Sequence, residues 1–126
     1  MADTRAGPVI PVSFDEHAIA EDLSHHPPVA RNALDLFRRA LDREGGLPVS
    51  RLKRCDDEAR DGTRLGGYVK TYVPWPTGQF GLVMIPATHP TRTLALRAFA
   101  FGIRHPAGLK PSVYTIADER RRSHAE

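Results

Sequence analysis

The sequence predicts an α+β domain, and three observations predict it. Apolar residues recur at helical spacing in the first third of the chain, alternate as in strands after Pro48, and are divided there by proline and glycine clusters. Helices followed by strands in this order place the helices on one face of an antiparallel sheet.

Val9 to Val12 is a short apolar run beside Pro8 and Pro11, which confines it to a sheet edge. Ser13 and Glu16 stand at capping-box spacing, so a first helix is expected to start at Ser13, with Ala18, Ile19, Ala20 and Leu23 as its apolar face. His25-His26-Pro27-Pro28 interrupts it, because the residue before a proline avoids helical angles. Val29, Ala33, Leu36, Phe37, Ala40 and Leu41 then recur at three- and four-residue steps, and Gly45-Gly46 supplies the stop. Two helices joined by so short a turn should pack as a hairpin.

Tyr68 to Val73 alternates in side-chain direction and is rich in β-branched and aromatic residues, until Pro74, Pro76 and Gly78 break it. Phe80 to Ile85 and Thr93 to Ile103 are two further strands, separated by the His89-Pro90-Thr91 turn. Val113 to Ile116 reads as a shorter fourth, after Pro106, Gly108 and Pro111. In the long strand Leu94, Leu96, Ala98 and Ala100 fall on one side, and Ala95, Arg97, Phe99 and Phe101 on the other. Both sides are largely apolar, as in a central strand, with Arg97 the exception. A single domain over residues 1–122 is expected, with residues 123–126 as a tail.

A chain of 126 residues buries enough surface to fold without a metal or disulfide staple, and the lone Cys55 excludes an internal disulfide. No run approaches the roughly 18 apolar residues of a membrane span. The N-terminus, with Asp3, Arg5, Gly7 and Pro8, lacks the apolar core of a signal peptide, so a cytoplasmic protein with no membrane partner is expected.

The net charge of +3 conceals an uneven distribution. Residues 1–50 hold five basic and eight acidic side chains, and residues 51–126 hold thirteen and seven. Between Asp61 and Asp118 there is no carboxylate, while Arg64, Lys70, Arg92, Arg97, Arg104 and Lys110 all lie there. Such a segment suits a polyanionic partner, since Lys and Arg dominate phosphate contacts. Carboxylate acid–base pairs and carboxylate sites for Mg²⁺ or Ca²⁺ would have to come from elsewhere. Arg51, Lys53 and Arg54 add basic charge, although Asp56, Asp57 and Glu58 follow and oppose it locally. The six histidines do not fall at metal-ligand spacing, so no metal site is expected. Cys55 has Arg54 on one side but Asp56 and Asp57 on the other, and reads as a bystander thiol rather than a nucleophile. Trp75, between Pro74 and Pro76, is expected in a stiff hairpin loop, as a core cap or a stacking surface. Gly66-Gly67 and the Gly78 to Gly81 stretch lack the Lys-Ser/Thr of a phosphate loop and read as turns and a bulge.

Three stretches resemble the RelE/ParE superfamily of toxin–antitoxin toxins. They are Phe14-Asp15-Glu16-His17-Ala18 with Asp22-Leu23, then Arg51-Leu52-Lys53, then Phe101-Gly102-Ile103-Arg104 followed by Val113-Tyr114-Thr115-Ile116-Ala117 and Arg120. Their order and spacing carry the likeness, which extends from about Val9 to Arg121. The resemblance implies an N-terminal strand and helix hairpin packed on a mainly antiparallel sheet of four to five strands. It also implies a metal-independent, cofactor-free endoribonuclease that cuts messenger RNA on the ribosome and is neutralised by a cognate antitoxin protein. By position Arg104 matches the family's arginine in its Gly-x-Arg stretch, and Tyr114 matches its C-terminal tyrosine. Arg104 is then the transition-state clamp, Tyr114 a stacking or proton-transfer group, and Lys70 a further catalytic candidate. Arg51, Lys53, Arg64, Arg97, Lys110, Arg120 and Arg121 are the candidates for nucleic-acid contact. Gly81 stands in the strand where RNA-cutting members usually carry an arginine, and the Lys110 insertion lengthens the connection from Arg104 to Tyr114. Two alternatives therefore stay open: a ParE-like toxin that binds DNA gyrase without catalysis, and an interaction module on the same scaffold.

Overall fold

In the computed structural model, which describes residues 8–60, 62–74, 78–91 and 94–124, the chain forms an α+β fold around a mixed five-stranded sheet. Trp75 and Arg92 lie outside the described residues. The elements in order are β1 (Val9–Ile10), β2 (Val12–Phe14), α1 (Glu16–Leu23), α2 (Pro28–Glu44), β3 (Leu47–Pro48), β4 (Lys53–Arg54), β5 (Val69–Val73), β6 (Phe80–Ala87), β7 (Ala95–Ile103) and α3 (Val113–His124). A 3-10 turn at Val49–Arg51 joins β3 to β4.

The sheet order is β2-β7-β6-β5-β4. β2 pairs parallel with β7, with Ser13 opposite Arg97, and every other pairing is antiparallel. The apolar run at Val9 to Val12 is split at Pro11. Val9–Ile10 pairs with Leu47–Pro48 in a small separate ladder, while Val12–Phe14 takes the expected sheet edge.

The first helix starts later than the capping-box spacing predicts. Ser13 is held extended in β2, and Asp15 is the cap instead, its Oδ1 accepting the Ala18 N–H at 3.1 Å. α2 carries proline at its first position and ends at Gly45, whose φ of 82° suits the left-handed cap. A Cβ on Gly46 would lie 2.4 Å from the Ile10 carbonyl oxygen, so only glycine lets β1 pass this close. The buried stripe of α2 is Ala30, Ala33, Leu34, Phe37 and Leu41. Val29 and Leu36, expected on that stripe, are 40% and 46% exposed.

α1 and α2 cover one sheet face, packing on Val73, Phe80, Leu82, Met84, Leu96, Ala98 and Phe101. The other face carries a second cluster of Leu65, Val83, Phe99, Ala100, Val113 and Ala117. Its cover is α3, which corrects the expected short strand at Val113 to Ile116 and runs to His124. The helix forms because Ser112 Oγ accepts the Thr115 N–H at 3.2 Å and because Val113 and Ala117, four residues apart, are both fully buried on the sheet. Helices thus lie on both faces of the sheet, and the fifth strand is β4.

One irregularity in β7 sets the geometry of the exposed face. Val83 pairs with Ala100 but Met84 pairs with Ala98, so Phe99 is passed over in a β-bulge. Strict alternation would carry Ala100, Gly102 and Arg104 to the side of Leu96 and Ala98. The bulge turns them instead to the α3 face, where Phe99 and Ala100 both join the second cluster.

Candidate nucleic-acid interface

On the α3 face, β5 presents Lys70 and Tyr72, two residues apart and therefore on the same side. Lys53 of β4 is the register partner of Lys70, Gly81 of β6 is the partner of Tyr72, and Gly102 of β7 is the partner of Gly81. Arg104 continues the ladder just beyond β7, donating its N–H to the Gln79 carbonyl at 2.8 Å. Tyr114 comes from the first turn of α3. Between these elements lies an open groove of about 930 Å³, lined among others by Lys70, Arg104, His105, Lys110, Ser112 and Tyr114.

Arg104 is the most constrained cation in the groove. Its Nη1 donates to the Gly78 carbonyl at 2.9 Å, and its guanidinium carbon lies 3.5 Å from the Tyr72 ring centroid. Its Nε is buried and has no acceptor among the described residues. The side chain crosses the sheet directly over Gly81, where a Cβ would stand 3.0 Å from Arg104 Cγ. An arginine at position 81, as the family resemblance expects, would occupy the path that Arg104 now takes.

Lys70 Nζ lies 4.9 Å from the Tyr114 ring centroid, and Lys53 Nζ lies 5.8 Å from that of Tyr72. This face thus sets a cation beside an aromatic ring twice, with Lys70 and Tyr114 in the groove lining. Among the described residues, the ion pairs of this protein leave out Lys53, Lys70, Arg104 and Lys110. Among the described residues, Asp56 is the one carboxylate in the groove lining, against Arg60, Lys70, Arg104 and Lys110. Cys55 also lines the groove, but burial pushes its thiol up to about 11, opposed only in part by Lys70, which leaves it protonated and poorly nucleophilic at neutral pH.

The structure therefore brings Lys70, Arg104, Tyr114 and Lys110 into one groove, with Lys53 at its edge. The other sequence candidates lie elsewhere. Arg51 donates to the Tyr72 carbonyl at 3.3 Å, with its guanidinium 5.8 Å from the Phe37 ring centroid. Arg64, Arg97 and Arg121 line a second cleft of about 630 Å³ on the same sheet face, and each also faces a carboxylate: Glu58, Asp15 and Asp118 respectively. The Arg64 N–H donates to Asp118 Oδ1 at 3.4 Å, which ties the loop before β5 to α3.

Arg120, a sequence candidate for nucleic-acid contact, lies outside this groove and is bonded into the fold. Nη1 and Nη2 engage the two carboxylate oxygens of Asp22 at 3.0 and 2.8 Å, and Nη1 also donates to the Phe99 carbonyl at 2.6 Å. Asp22 Oδ2 in turn accepts the Phe101 N–H at 2.9 Å. These bonds join α1, β7 and α3 across the sheet and commit the Nη1–Nη2 edge of the guanidinium to the fold.

Sequence reasoning missed Tyr72, although its position two residues after Lys70 in a strand was the available signal. Among the described residues no three His, Cys, Asp or Glu side chains gather as a metal cluster, and no helix is long and apolar enough to cross a membrane. The fold and the groove define an α+β protein with a cationic and aromatic sheet face. No family model, curated protein or solved structure matches the chain.

Proposed function

We propose that this protein is a RelE-like toxin that holds messenger RNA in the groove between β5, the end of β7 and α3, and cleaves it without a metal on the ribosome. The observation that carries the proposal is the convergence of Lys70, Arg104 and Tyr114 from three separate elements on one groove of about 930 Å³. The N-terminal strand and the helix hairpin on a mainly antiparallel sheet also agree with the resemblance.

The chemistry follows from the side chains. A ribose 2′-hydroxyl gives its proton to solvent as its oxygen attacks the adjacent phosphorus, the bond to the 5′-oxygen breaks as that oxygen takes up a proton, and a 2′,3′-cyclic phosphate and a 5′-hydroxyl are left. Charge accumulates on the phosphorane oxygens in the transition state, where fixed cations stabilise it more than in the ground state. Arg104 is the clamp, and Lys70 adds a second positive charge. Tyr114 supplies a hydroxyl for proton transfer to the leaving oxygen or a ring for stacking. A cognate antitoxin with an acidic or amphipathic segment laid over this face neutralises the groove.

Inducible expression in a bacterium tests the reading, with message cleavage mapped on ribosomes. Wild type arrests translation and leaves cuts in ribosome-bound message, whereas Arg104→Ala and Tyr114→Phe stay folded and lose about 100-fold or more in rate. Unchanged toxicity in both variants overturns these roles. Intact message with inhibited gyrase selects the ParE-like alternative, and a protein inert in both assays selects the interaction module.

A further inference from the structure

Tyr72 has no role in the mechanism above, yet its ring lies beside the groove, against the Arg104 guanidinium. Arg104 lies on its ring at 3.5 Å, Lys53 approaches to 5.8 Å, and the facing residue Gly81 contributes no side chain to cover it. The ring is reached by a guanidinium whose buried Nε–H has no acceptor among the described residues, and the described lining of the same groove holds four Lys and Arg side chains against one carboxylate. A buried donor without a partner is costly, and a phosphate oxygen is the acceptor that a guanidinium fork fits best. Turning Arg104 outward to meet a phosphate would satisfy Nε and would uncover the Tyr72 ring.

We propose that Tyr72 is a second nucleobase-binding residue of the groove, and that a base of single-stranded RNA replaces Arg104 on its ring when Arg104 turns to the neighbouring phosphate. The arrangement at Tyr114 has the same parts, with Lys70 Nζ 4.9 Å from that ring centroid. Two rings, each beside a cation, match a strand whose bases are splayed and whose phosphates alternate with them. The ligand is then a short single-stranded stretch of at least two nucleotides, recognised by stacking rather than by base edges. This inference deepens the proposed function, naming the bound form of its substrate.

Binding of an uncleavable six-nucleotide RNA, 2′-O-methyl throughout, is compared with binding of an abasic oligomer of the same length and charge, using the full chain. Loss of one stacked base weakens binding by about 5- to 150-fold. Tyr72→Leu, which keeps apolar bulk in the sheet, is expected to weaken the base-bearing oligomer within that range and the abasic one less than twofold. Tyr72→Phe keeps the ring and is expected to bind both as wild type does. Equal losses for both oligomers in Tyr72→Leu overturn the proposal, because Tyr72 then acts only by positioning Arg104. So does unchanged binding, or a wild type that does not distinguish the two oligomers. Cleavage of ribosome-bound message by wild type, measured in parallel, separates the readings: cleavage without a base-dependent Tyr72 effect rejects this inference alone, and a base-dependent effect without cleavage rejects the nuclease alone.

Discussion

Replacing Arg120 separates a structural from a nucleic-acid role for the basic C-terminal segment. Arg120 and Asp22 form a bidentate pair with side chains 14% and 3% exposed, and Asp22 also accepts the Phe101 N–H. Arg120→Met leaves that carboxylate buried without its partner, a loss of about 3–5 kcal/mol. For a domain of this size the urea midpoint should fall by roughly 2 M, taking a slope of about 2 kcal/mol/M. Asp22→Asn keeps an acceptor for Phe101 but removes the charge, so the double variant should cost less than the two singles combined, by about 1–3 kcal/mol. Equilibrium urea unfolding of the four proteins measures this. A cost for Arg120→Met below about 1 kcal/mol, or strict additivity in the double variant, refutes the reasoning. At a temperature where Arg120→Met is folded, its RNA binding should keep the wild-type salt dependence, whereas Lys70→Met should reduce the slope by about one phosphate contact.

Gly81→Ala should leave stability within about 1 kcal/mol, since alanine suits a strand interior better than glycine does, yet its Cβ would stand 3.0 Å from Arg104 Cγ and displace that flexible side chain. RNA cleavage should fall at least tenfold, and retained cleavage would show that the crossing of Arg104 over Gly81 is not needed. Burial raises the Cys55 thiol from 9.0 to about 11, so the folded state holds its proton at pH values where the unfolded chain has lost it. Its contribution to stability is complete below about pH 9 and lost as pH rises through 11; Cys55→Ala should flatten that part of the stability curve, and alkylation of the native thiol should be slow at pH 8.

The helix hairpin was legible because long apolar periodicity and a paired glycine stop agree there. The buried stripe was legible only in part: Ala33, Phe37 and Leu41 are on it, while Val29 and Leu36 face outward because the helix is rotated to fit Ala30 and Leu34 against the sheet. α3 was hidden by Val113-Tyr114-Thr115-Ile116, whose side chains favour strands when judged locally. Burial of Val113 and Ala117 on Gly102 and Ala100 overrides that preference. The residue types of the groove were legible from the carboxylate-free segment. The fate of Arg120 was not, because its partner Asp22 lies 98 residues away.

The extra residue in β7 explains how one strand serves the core and the groove. Up to Ala98 its even-numbered residues pack on the helix hairpin, so an unbroken strand would deliver Arg104 into that apolar cluster, where an unpaired guanidinium is costly. With Phe99 passed over, Phe101 returns to the hairpin side and Gly102 and Arg104 to the other. Gly102 and Gly81 are register partners there, and the two missing side chains leave a furrow across the sheet. A Cβ on Gly102 would meet Val113 of α3 at 3.5 Å, and one on Gly81 would meet Arg104 at 3.0 Å. The same furrow therefore seats the helix that carries Tyr114 and the arginine that lies on Tyr72. Its bulge and two glycines bring the arginine to the side of the sheet that holds both tyrosines, although none of the three residues that form it has a functional group of its own.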